Sequence, residues 1–275
     1  MHPNSATDFL EAIRLSELTQ IDGIVSATVP AGARILEIGA GTGWQARELA
    51  NRGYQVSAID IPTSNHGKAR IWPIIDFDGR HIPFPDASFD IVYSSNVLEH
   101  VEDIDTLNRE MARVLRPGGH AVHYVPTSAW RAWSLAAFYP ALLRDAWRRL
   151  GGHRPASGAP ADAAPAPPAA SSQRSFAGKL LRRIVPHAHG AVGTCWTELV
   201  RFTRTSWDRY FAGAGWTIVS YGRNGMFLTG DMLLGARLST ERRRRLSPML
   251  GCTAHLYVLV RAALPTPARG RRVTR

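Results

Sequence analysis

Short apolar segments alternate with helical patterns between residues 33 and 126. The first, ARILEI (33–38), is an apolar run of the kind expected for a β-strand covered on both faces. Further runs predict strands at YQVSAID (54–60), IWPIID (71–76), FDIVYSS (89–95) and HAVHYVP (120–126). Helical patterns lie between them at 44–52 and 104–116, and Pro117-Gly118-Gly119 is a strong signal for the end of the second helix. This alternation predicts an α/β fold with a parallel, doubly wound sheet.

The pattern changes after residue 126. Residues 130–150 carry aromatic and aliphatic residues at helical spacing, and residues 151–175 are rich in Ala, Pro, Gly and Ser, which predicts disorder. A helix N-capped by Thr205 or Ser206 follows, and strands are predicted at WTIVSYG and AHLYVLVRAAL. An insertion therefore interrupts the sheet, which the chain then completes. The predicted organisation is an N-terminal helix (1–29), a core (30–126), a helical insertion (127–204), the completion of the sheet (205–264) and a basic tail (265–275).

Charge suggests the kind of partner. The net charge is +11, and the basic residues are concentrated after residue 130. That excess predicts attraction to anionic partners such as phosphorylated substrates or an anionic membrane surface. No zinc-finger, RRM or helix-turn-helix pattern accompanies it, so we expect no sequence-specific nucleic-acid binding.

Location is predicted from what the sequence lacks. The N-terminus has no signal-peptide pattern, and no apolar window is long enough to cross a bilayer. Cys195 and Cys252 match no metal spacing and predict a reducing compartment. We therefore expect a cytoplasmic protein, or one held at a membrane face.

The clearest chemical signal is EIGAGTG, directly after the first strand. Glycines there leave main-chain N–H groups open beside the positive end of a helix dipole, which suits an anionic or dinucleotide-like ligand. The spacing Gly41, Gly43, Ala46 satisfies the dinucleotide fingerprint, so an NAD(P)-dependent oxidoreductase stays an alternative. Asp60, at the end of the second strand, can accept both ribose hydroxyls of any adenosine.

The downstream blocks DGRHIPFPDASFDIVYSSNVLEHVED and MARVLRPGGHAVHYVP resemble class I S-adenosylmethionine-dependent methyltransferases. The likeness is to the small-molecule subgroup with the LPF…SFD…LEHV signature, and it covers about residues 30–126. It implies a Rossmann-like sheet of seven strands with an antiparallel last strand. It also implies S-adenosyl-L-methionine as cofactor, over the carboxyl ends of the first strands.

The resemblance assigns site residues position by position. Those implied to contact the cofactor are Glu37, Gly39, Gly41, Gly43, Asp60, Asp78, Gly79 and Asn96. Asp78 is implied to face the adenine amino group, with Asp76 as a rival, and Asn96 offers its main-chain carbonyl to the cofactor's ammonium. Phe84 and Phe89 are interpreted as core residues.

The acceptor side is less defined. O-methylation benefits from a general base, and His100 in LEHV is the candidate, although it could instead order the helix that follows. Glu99 orients that imidazole or caps the helix. His123 and Tyr124 alternate on the fifth strand, so one of them is expected to face the acceptor pocket, or either is instead packed under a helix. His189 is a further candidate for acceptor contact.

The predicted activity is therefore methyl transfer, with O-methylation of a small molecule, saccharide or lipid-linked intermediate favoured. No metal site is predicted. A binding protein that retains the cofactor pocket without turnover is a further alternative. The helix at 130–150 is either a lid or, through interfacial tryptophans, a contact with an anionic membrane.

Overall fold

A computed structural model of the protein describes residues 6–29, 32–64, 67–150, 185–229, 234 and 238–262. Short 3-10 turns lie at Gly67–Ala69 and Leu98–His100. The helices are α1 (Ala6–Thr28), α2 (Trp44–Asn51), α3 (Ile104–Val114), α4 (Ser128–Leu150), α5 (Thr197–Arg201), α6 (Arg204–Gly213) and α7 (Thr240–Leu250). The strands are β1 (Arg34–Ile38), β2 (Gln55–Asp60), β3 (Ile75–Asp76), β4 (Phe89–Ser95), β5 (Leu115–Pro126), β6 (Trp216–Arg223) and β7 (Ala254–Arg261).

The strands form one seven-stranded sheet in the order β3-β2-β1-β4-β5-β7-β6. The pairs from β3 to β5 are parallel, whereas β7 runs antiparallel to both β5 and β6. The strand order reverses between β1 and β4, which opens a crevice beyond their carboxyl ends. This topology confirms the predicted Rossmann-like sheet with an antiparallel last strand.

Both faces of the sheet are covered. One face packs against α3 and α6, and the other against α1 and α2. The first core contains Leu36, Val92, Met111, Trp207, Phe211, Trp216 and Tyr257. The second contains Leu18, Ile21, Ile35, Leu49, Tyr93, Tyr124 and Val258. Coverage on both sides explains why β1, β4 and β5 read as apolar runs in the sequence.

The junction between α3 and β5 differs from the prediction. Asp103 caps α3, its side chain accepting a hydrogen bond from Thr106 N at 3.2 Å. The helix ends at Val114, and Leu115 already belongs to β5. The segment 117–119 therefore lies inside the strand instead of ending the helix. Its proline and glycines fall where the pairing with β4 is irregular.

The predicted N-cap of α6 was wrong. Thr203 is the capping residue, and its Oγ1 accepts a hydrogen bond from Ser206 N at 3.2 Å. Thr205 and Ser206 lie in the first turn of the helix. Because these threonine and serine residues sit next to one another, the sequence could not select among them.

Two helices in the described part of the chain, α5 and α7, were not predicted. The α7 sequence TERRRRLSPML reads as a charged surface, yet Arg243 is only 1% exposed. Its Nε donates to Leu238 O at 2.9 Å and its Nη1 to Phe227 O at 3.2 Å. Burial lowers the pKa of this guanidinium to about 10. Polar contacts with main-chain carbonyls thus allow an arginine to occupy an inward position.

The helices α4 and α5 occupy the place of the predicted insertion between β5 and α6. The predicted disordered linker, 151–175, and the basic tail, 265–275, lie outside the described residues, and the domain boundaries stay predictions. No helix in the described segments is long and apolar enough to cross a membrane.

Phe211 is a residue of α6, and its side chain lies at the centre of the core that this helix covers. It is fully buried and contacts the rings of His123, Trp207 and Tyr257. We expect Phe211→Ala to lower the free energy of unfolding by about 3–5 kcal/mol, since it removes an aromatic ring from a packed site. Urea denaturation measures the change. Arg209→Ala, at an exposed position of the same helix, is the control; equal stability of the two variants would contradict this packing.

Candidate functional site

The glycine loop, residues 39–43, leaves β1 at the carboxyl edge of the sheet. Gly39, Gly41 and Gly43 have φ angles of 70°, 58° and 79°, a region that favours glycine. A Cβ at Gly39 would lie 2.5 Å from Val97 Cγ2, and one at Gly43 would lie 2.5 Å from Trp72 Cβ. The need for glycine therefore comes partly from close packing within the chain itself.

Asp60 fixes this loop to the end of β2. Its Oδ2 accepts a hydrogen bond from Gly41 N at 3.0 Å, and its Oδ1 accepts one from Ile61 N at 2.8 Å. The carbonyl of Ile59 accepts further bonds from the N–H groups of Gly39 and Ala40. The carboxylate is only 7% exposed. Asp60 thus positions the main chain of the glycine loop at the carboxyl end of β2.

Glu37 is the second acid at this edge. It is 2% exposed, and its Oε2 has no hydrogen-bond partner among the described residues. Burial raises the pKa of this carboxyl to about 8, although the positive charge of Arg14 and the Ala46 N–H oppose the shift. A buried acid with an unsatisfied oxygen is suited to a cationic group placed beside it.

The end of β4 contributes strained backbone. Asn96 has a φ of 52°, which is uncommon for a residue with a side chain. Its N–H donates to Tyr124 O at 2.9 Å, which fixes the turn.

Arg14 of α1 reaches the end of β4 and donates to Ser95 Oγ at 2.5 Å and to Glu17 Oε2 at 2.9 Å. Sequence reasoning missed Arg14 and Glu17, because nothing in α1 marks which of its polar residues turn inward.

Asp78 and Gly79 form a turn beside β2. The N–H of Phe77 donates to Asp60 O at 3.1 Å, which places this turn next to the acid. Asp78 Oδ1 accepts hydrogen bonds from Arg80 N and His81 N, and Oδ2 lies 2.7 Å from His81 Nδ1. The hydrogen bond to His81 lowers the pKa of Asp78.

The rival Asp76 ends β3. It lies 2.6 Å from Arg70 Nη2, and both side chains remain partly accessible. Asp76 pairs in register with Asp60, so both Asp76 and Asp78 lie near the end of β2, and the role of Asp78 stays a prediction. Phe84 and Phe89 pack edge to face at 4.9 Å, and Phe89 belongs to the core.

A second group of polar side chains, the histidine cluster, consists of Glu99, His100 and His189. The 3-10 turn after β4 carries Glu99 and His100, and the loop before α5 carries His189. Both histidine Nε2 atoms lie close to Glu99 Oε1, at 3.8 Å from His100 and 3.9 Å from His189. The two imidazole rings meet edge to face at 4.6 Å, and Trp130 contacts the ring of His189. The structure thus brings together two histidines that are far apart in the sequence.

A buried ion pair holds the loop of His189 in place. Arg131 Nε lies 2.7 Å from Glu198 Oε2, and both side chains are almost fully buried. Glu198 Oε1 also accepts hydrogen bonds from the N–H groups of His189 and Gly190, both at 2.7 Å. Sequence reasoning missed Arg131 and Glu198 because their pairing depends on tertiary contact between α4 and α5.

The same loop packs tightly on the turn that carries Glu99. The N–H of Ala191 donates to Glu99 O at 2.9 Å, and a Cβ at Gly190 would lie 2.5 Å from that oxygen. Burial lowers the pKa of His189 to about 3, so its imidazole is neutral at neutral pH.

Two predicted acceptor residues are corrected. His123 and Tyr124 are both 0% exposed, so neither faces an open acceptor site. His123 lies against Phe211 with its Nδ1 2.8 Å from Ser94 Oγ, and burial lowers its pKa to about 3. The hydroxyl of Tyr124 donates to Glu17 O at 3.1 Å under α1. Alternation does place the two on opposite faces, but helices cover both faces.

The two halves of the site are adjacent. Val97 packs on Gly39, and His100 N donates to Val97 O at 2.9 Å, so the histidine cluster begins one turn from the glycine loop.

Comparison with known proteins agrees with this arrangement. Residues 36–123 match the family model described as "Methyltransferase domain". A demethylmenaquinone methyltransferase of Corynebacterium urealyticum is 40% identical over 90 residues, covering 32% of this chain and 39% of that protein. A malonyl-[acyl-carrier protein] O-methyltransferase of Serratia marcescens is 33% identical over 127 residues, covering 45% of this chain and 46% of that protein. The alignments thus span less than half of these relatives.

A solved structure matches more of the chain. In the complex between the Haloferax volcanii Trm112 methyltransferase activator and a protein described as a methyltransferase, the aligned chain is 16% identical with a TM-score of 0.52. The alignment covers 96% of this chain and 100% of that chain. At this identity the likeness establishes the fold alone. The family match over residues 36–123 confirms the resemblance of this part of the chain to class I S-adenosylmethionine-dependent methyltransferases.

The burial of Glu37 predicts a pH dependence of stability. The native protein keeps this proton up to about pH 8, whereas the unfolded chain releases it near the ordinary 4.5. The unfolded state therefore binds fewer protons in that window, and stability falls as the pH rises. A pKa unit corresponds to about 1.4 kcal/mol. As the pH rises from 4.5 to 8, the free energy of unfolding of Glu37→Gln should therefore increase relative to that of the native protein by on the order of 3–5 kcal/mol.

Denaturant unfolding at a series of pH values measures this difference. Glu48→Gln, at a partly exposed position of α2, is the control. Its free energy of unfolding should change with pH in the same way as that of the native protein. Parallel curves for Glu37→Gln would show that Glu37 titrates normally in the folded protein.

Proposed function

We propose that this chain, which carries a class I S-adenosylmethionine-dependent methyltransferase domain, transfers the methyl group of S-adenosylmethionine to a hydroxyl group. The acceptor is a small molecule, a saccharide or a lipid-linked intermediate. The supporting observation is that the glycine loop, with Asp60 and Glu37 beside it, lies one turn from His100. Donor and acceptor ends can therefore meet at one edge of the sheet.

The residues present fit this cofactor. The unpartnered Oε2 of Glu37 suits its ammonium group, and Asp60 suits its ribose hydroxyls. The turn at Asp78 and Gly79, tied to Asp60 through Phe77, suits the adenine. When bound, the cofactor supplies a methyl group on a positively charged sulfur. Because burial keeps Glu37 protonated up to about pH 8 in the unliganded protein, its attraction for the ammonium group depends on loss of that proton when the cofactor binds.

The protein's chief task is alignment. An in-line displacement requires the acceptor oxygen behind the methyl carbon, and water must be kept away. A hydroxyl acceptor also loses its proton during transfer, so a group near its oxygen is needed to take the proton. His100 is the candidate for that position because it is 22% exposed at the side chain, whereas Glu99 is buried beside it.

The choice of acceptor has limited support. One relative is named for O-methylation and another for demethylmenaquinone, so the relatives do not agree on one substrate. On α4, the apolar side chains of Tyr139, Leu143 and Trp147 are 53%, 64% and 78% exposed at a spacing of four residues. Together with the basic net charge, this exposed stripe favours a lipid-linked acceptor at an anionic membrane surface.

A single incubation tests the proposed function. The protein is incubated with S-adenosylmethionine labelled in its methyl group and with host extract separated into lipid, saccharide and nucleic-acid fractions. We expect label in the lipid or saccharide fraction, stable to treatments that release methyl esters. Binding of S-adenosylhomocysteine without any transfer would favour the non-catalytic alternative, and label in nucleic acid would overturn the proposed acceptor class.

We expect Asp60→Ala to weaken S-adenosylhomocysteine binding by about 1–3 kcal/mol, because it removes hydrogen bonds to the ribose and to the loop N–H of Gly41. Isothermal titration calorimetry measures the loss. Asp60→Asn keeps one acceptor oxygen, so its affinity should lie between those of the native protein and Asp60→Ala. An affinity equal to that of the native protein would remove Asp60 from the cofactor site.

His100→Ala should lower turnover by about 10²–10⁴-fold while S-adenosylhomocysteine binding stays unchanged, since the side chain acts on the acceptor and not on the donor. Single-turnover transfer of the labelled methyl group measures it. His187→Ala, an exposed histidine of the loop before α5, is the matched control. If His100→Ala retains full turnover, or fails to fold, the role of His100 is structural.

A further inference from the structure

The histidine cluster has the composition of a metal site. One ligand atom from each of Glu99, His100 and His189 lies within 4.8 Å of the other two. Two imidazoles and one carboxylate are a ligand set used by divalent transition metals such as Zn²⁺ and Fe²⁺. The sequence shows no such spacing, because 88 residues separate His100 from the next ligand, His189.

The donor atoms converge on one point. The same ring atom of both histidines, Nε2, faces the same carboxylate oxygen, Glu99 Oε1, at 3.8 and 3.9 Å. Ligands held about 2.0–2.1 Å from a tetrahedral ion lie roughly 3.3 Å apart, so each histidine Nε2 has to approach Glu99 Oε1 by about half an ångström. The ligand atoms of the two histidines, which lie within 4.8 Å of each other, have to close as well. Direct hydrogen bonds between the imidazoles and this oxygen would be shorter, near 2.7–3.0 Å. The observed spacing therefore fits a site that closes around an ion.

The surroundings hold the ligands firmly. Glu198 receives hydrogen bonds from the main chain of His189 and Gly190, and its partner Arg131 is buried with it. Trp130 packs edge to face on the ring of His189 at 4.6 Å. These contacts fix the main chain of His189 and one side of its ring, so its imidazole is already positioned beside Glu99.

We infer that Glu99, His100 and His189 bind one divalent transition-metal ion beside the methyl donor. Three protein ligands leave at least one coordination position open, as in catalytic metal sites. The side chains of His100 and His189 are 22% and 14% exposed, so that position can reach solvent or an acceptor.

This inference rests on the proposed function and changes the part that His100 plays in it, from proton acceptor to metal ligand. An acceptor hydroxyl bound to the ion loses its proton to water. The oxygen lone pair then forms the new O–C bond while the S–C bond breaks, so that methyl ether, S-adenosylhomocysteine and one proton are the products. No oxidant or reductant is required.

Metal binding is measured independently of methyl transfer. The full chain is stripped with EDTA, dialysed and titrated with Co²⁺, followed by its visible absorption bands, and with Zn²⁺ by calorimetry. We expect one ion per chain, and a loss of affinity of about 100-fold or more in His189→Ala and Glu99→Gln. His187→Ala, from the same loop, should bind like the native protein.

Several outcomes would overturn the site. These are no saturable binding of Co²⁺ or Zn²⁺, unchanged affinity in a folded His189→Ala variant, or full transferase activity in the stripped protein. The last result leaves the proposed methyl transfer intact and restores His100 as the base. Specific metal binding without transfer of label in any extract fraction supports the site and counts against the proposed reaction.

Discussion

The hydrogen bonds between the glycine loop and the end of β2 are the contacts on which the site depends. Asp60 and the carbonyl of Ile59 accept hydrogen bonds from N–H groups of the loop and hold it against the carboxyl end of β2, beside the crevice between β1 and β4. Gly39, fixed in this way, allows Val97 to pack against its main chain. Val97 in turn sets the 3-10 turn that carries His100, so a contact on the donor side also positions the acceptor side.

Buried acids are concentrated at this same edge of the sheet. Glu17, Glu37, Asp60, Glu99 and Glu198 are all less than 9% exposed. Burying a carboxyl group is costly unless it is paired or protonated, and well-packed apolar residues would serve stability at least as well. The chain satisfies Asp60 through main-chain N–H groups and Glu198 through Arg131, whereas Oε2 of Glu37 finds no hydrogen-bond partner within the part of the chain that the structure describes. Buried carboxyl groups gathered near one crevice, with the raised pKa of Glu37 among them, are typical of a functional site.

The sequence predicted the strands of the core well, because coverage on both faces turns them into apolar runs between clear turn signals. It did not predict α7, because the run of arginines in this helix shows no apolar face. Arg243 of that run is nevertheless buried. It also placed His123 and Tyr124 at the acceptor, since alternation shows that two residues face opposite sides but not what covers each side.

The proximity of the glycine loop to Asp60 was predictable because these residues lie in short motifs at the ends of two neighbouring strands. The acceptor half was only partly predictable. His100 and His189 were singled out separately, but their meeting depends on α4 and α5, through the Arg131–Glu198 pair. Such long-range pairs leave no local pattern.

The central claim is that the glycine loop, Asp60 and Glu37 form a site for an adenosyl sulfonium donor, and thermal unfolding with added ligand tests it directly. S-adenosylhomocysteine at 100 times its dissociation constant should stabilise the protein by about 2.7 kcal/mol and raise the melting temperature, while NAD(H) leaves it unchanged. A rise with NAD(H) and none with S-adenosylhomocysteine would contradict the account.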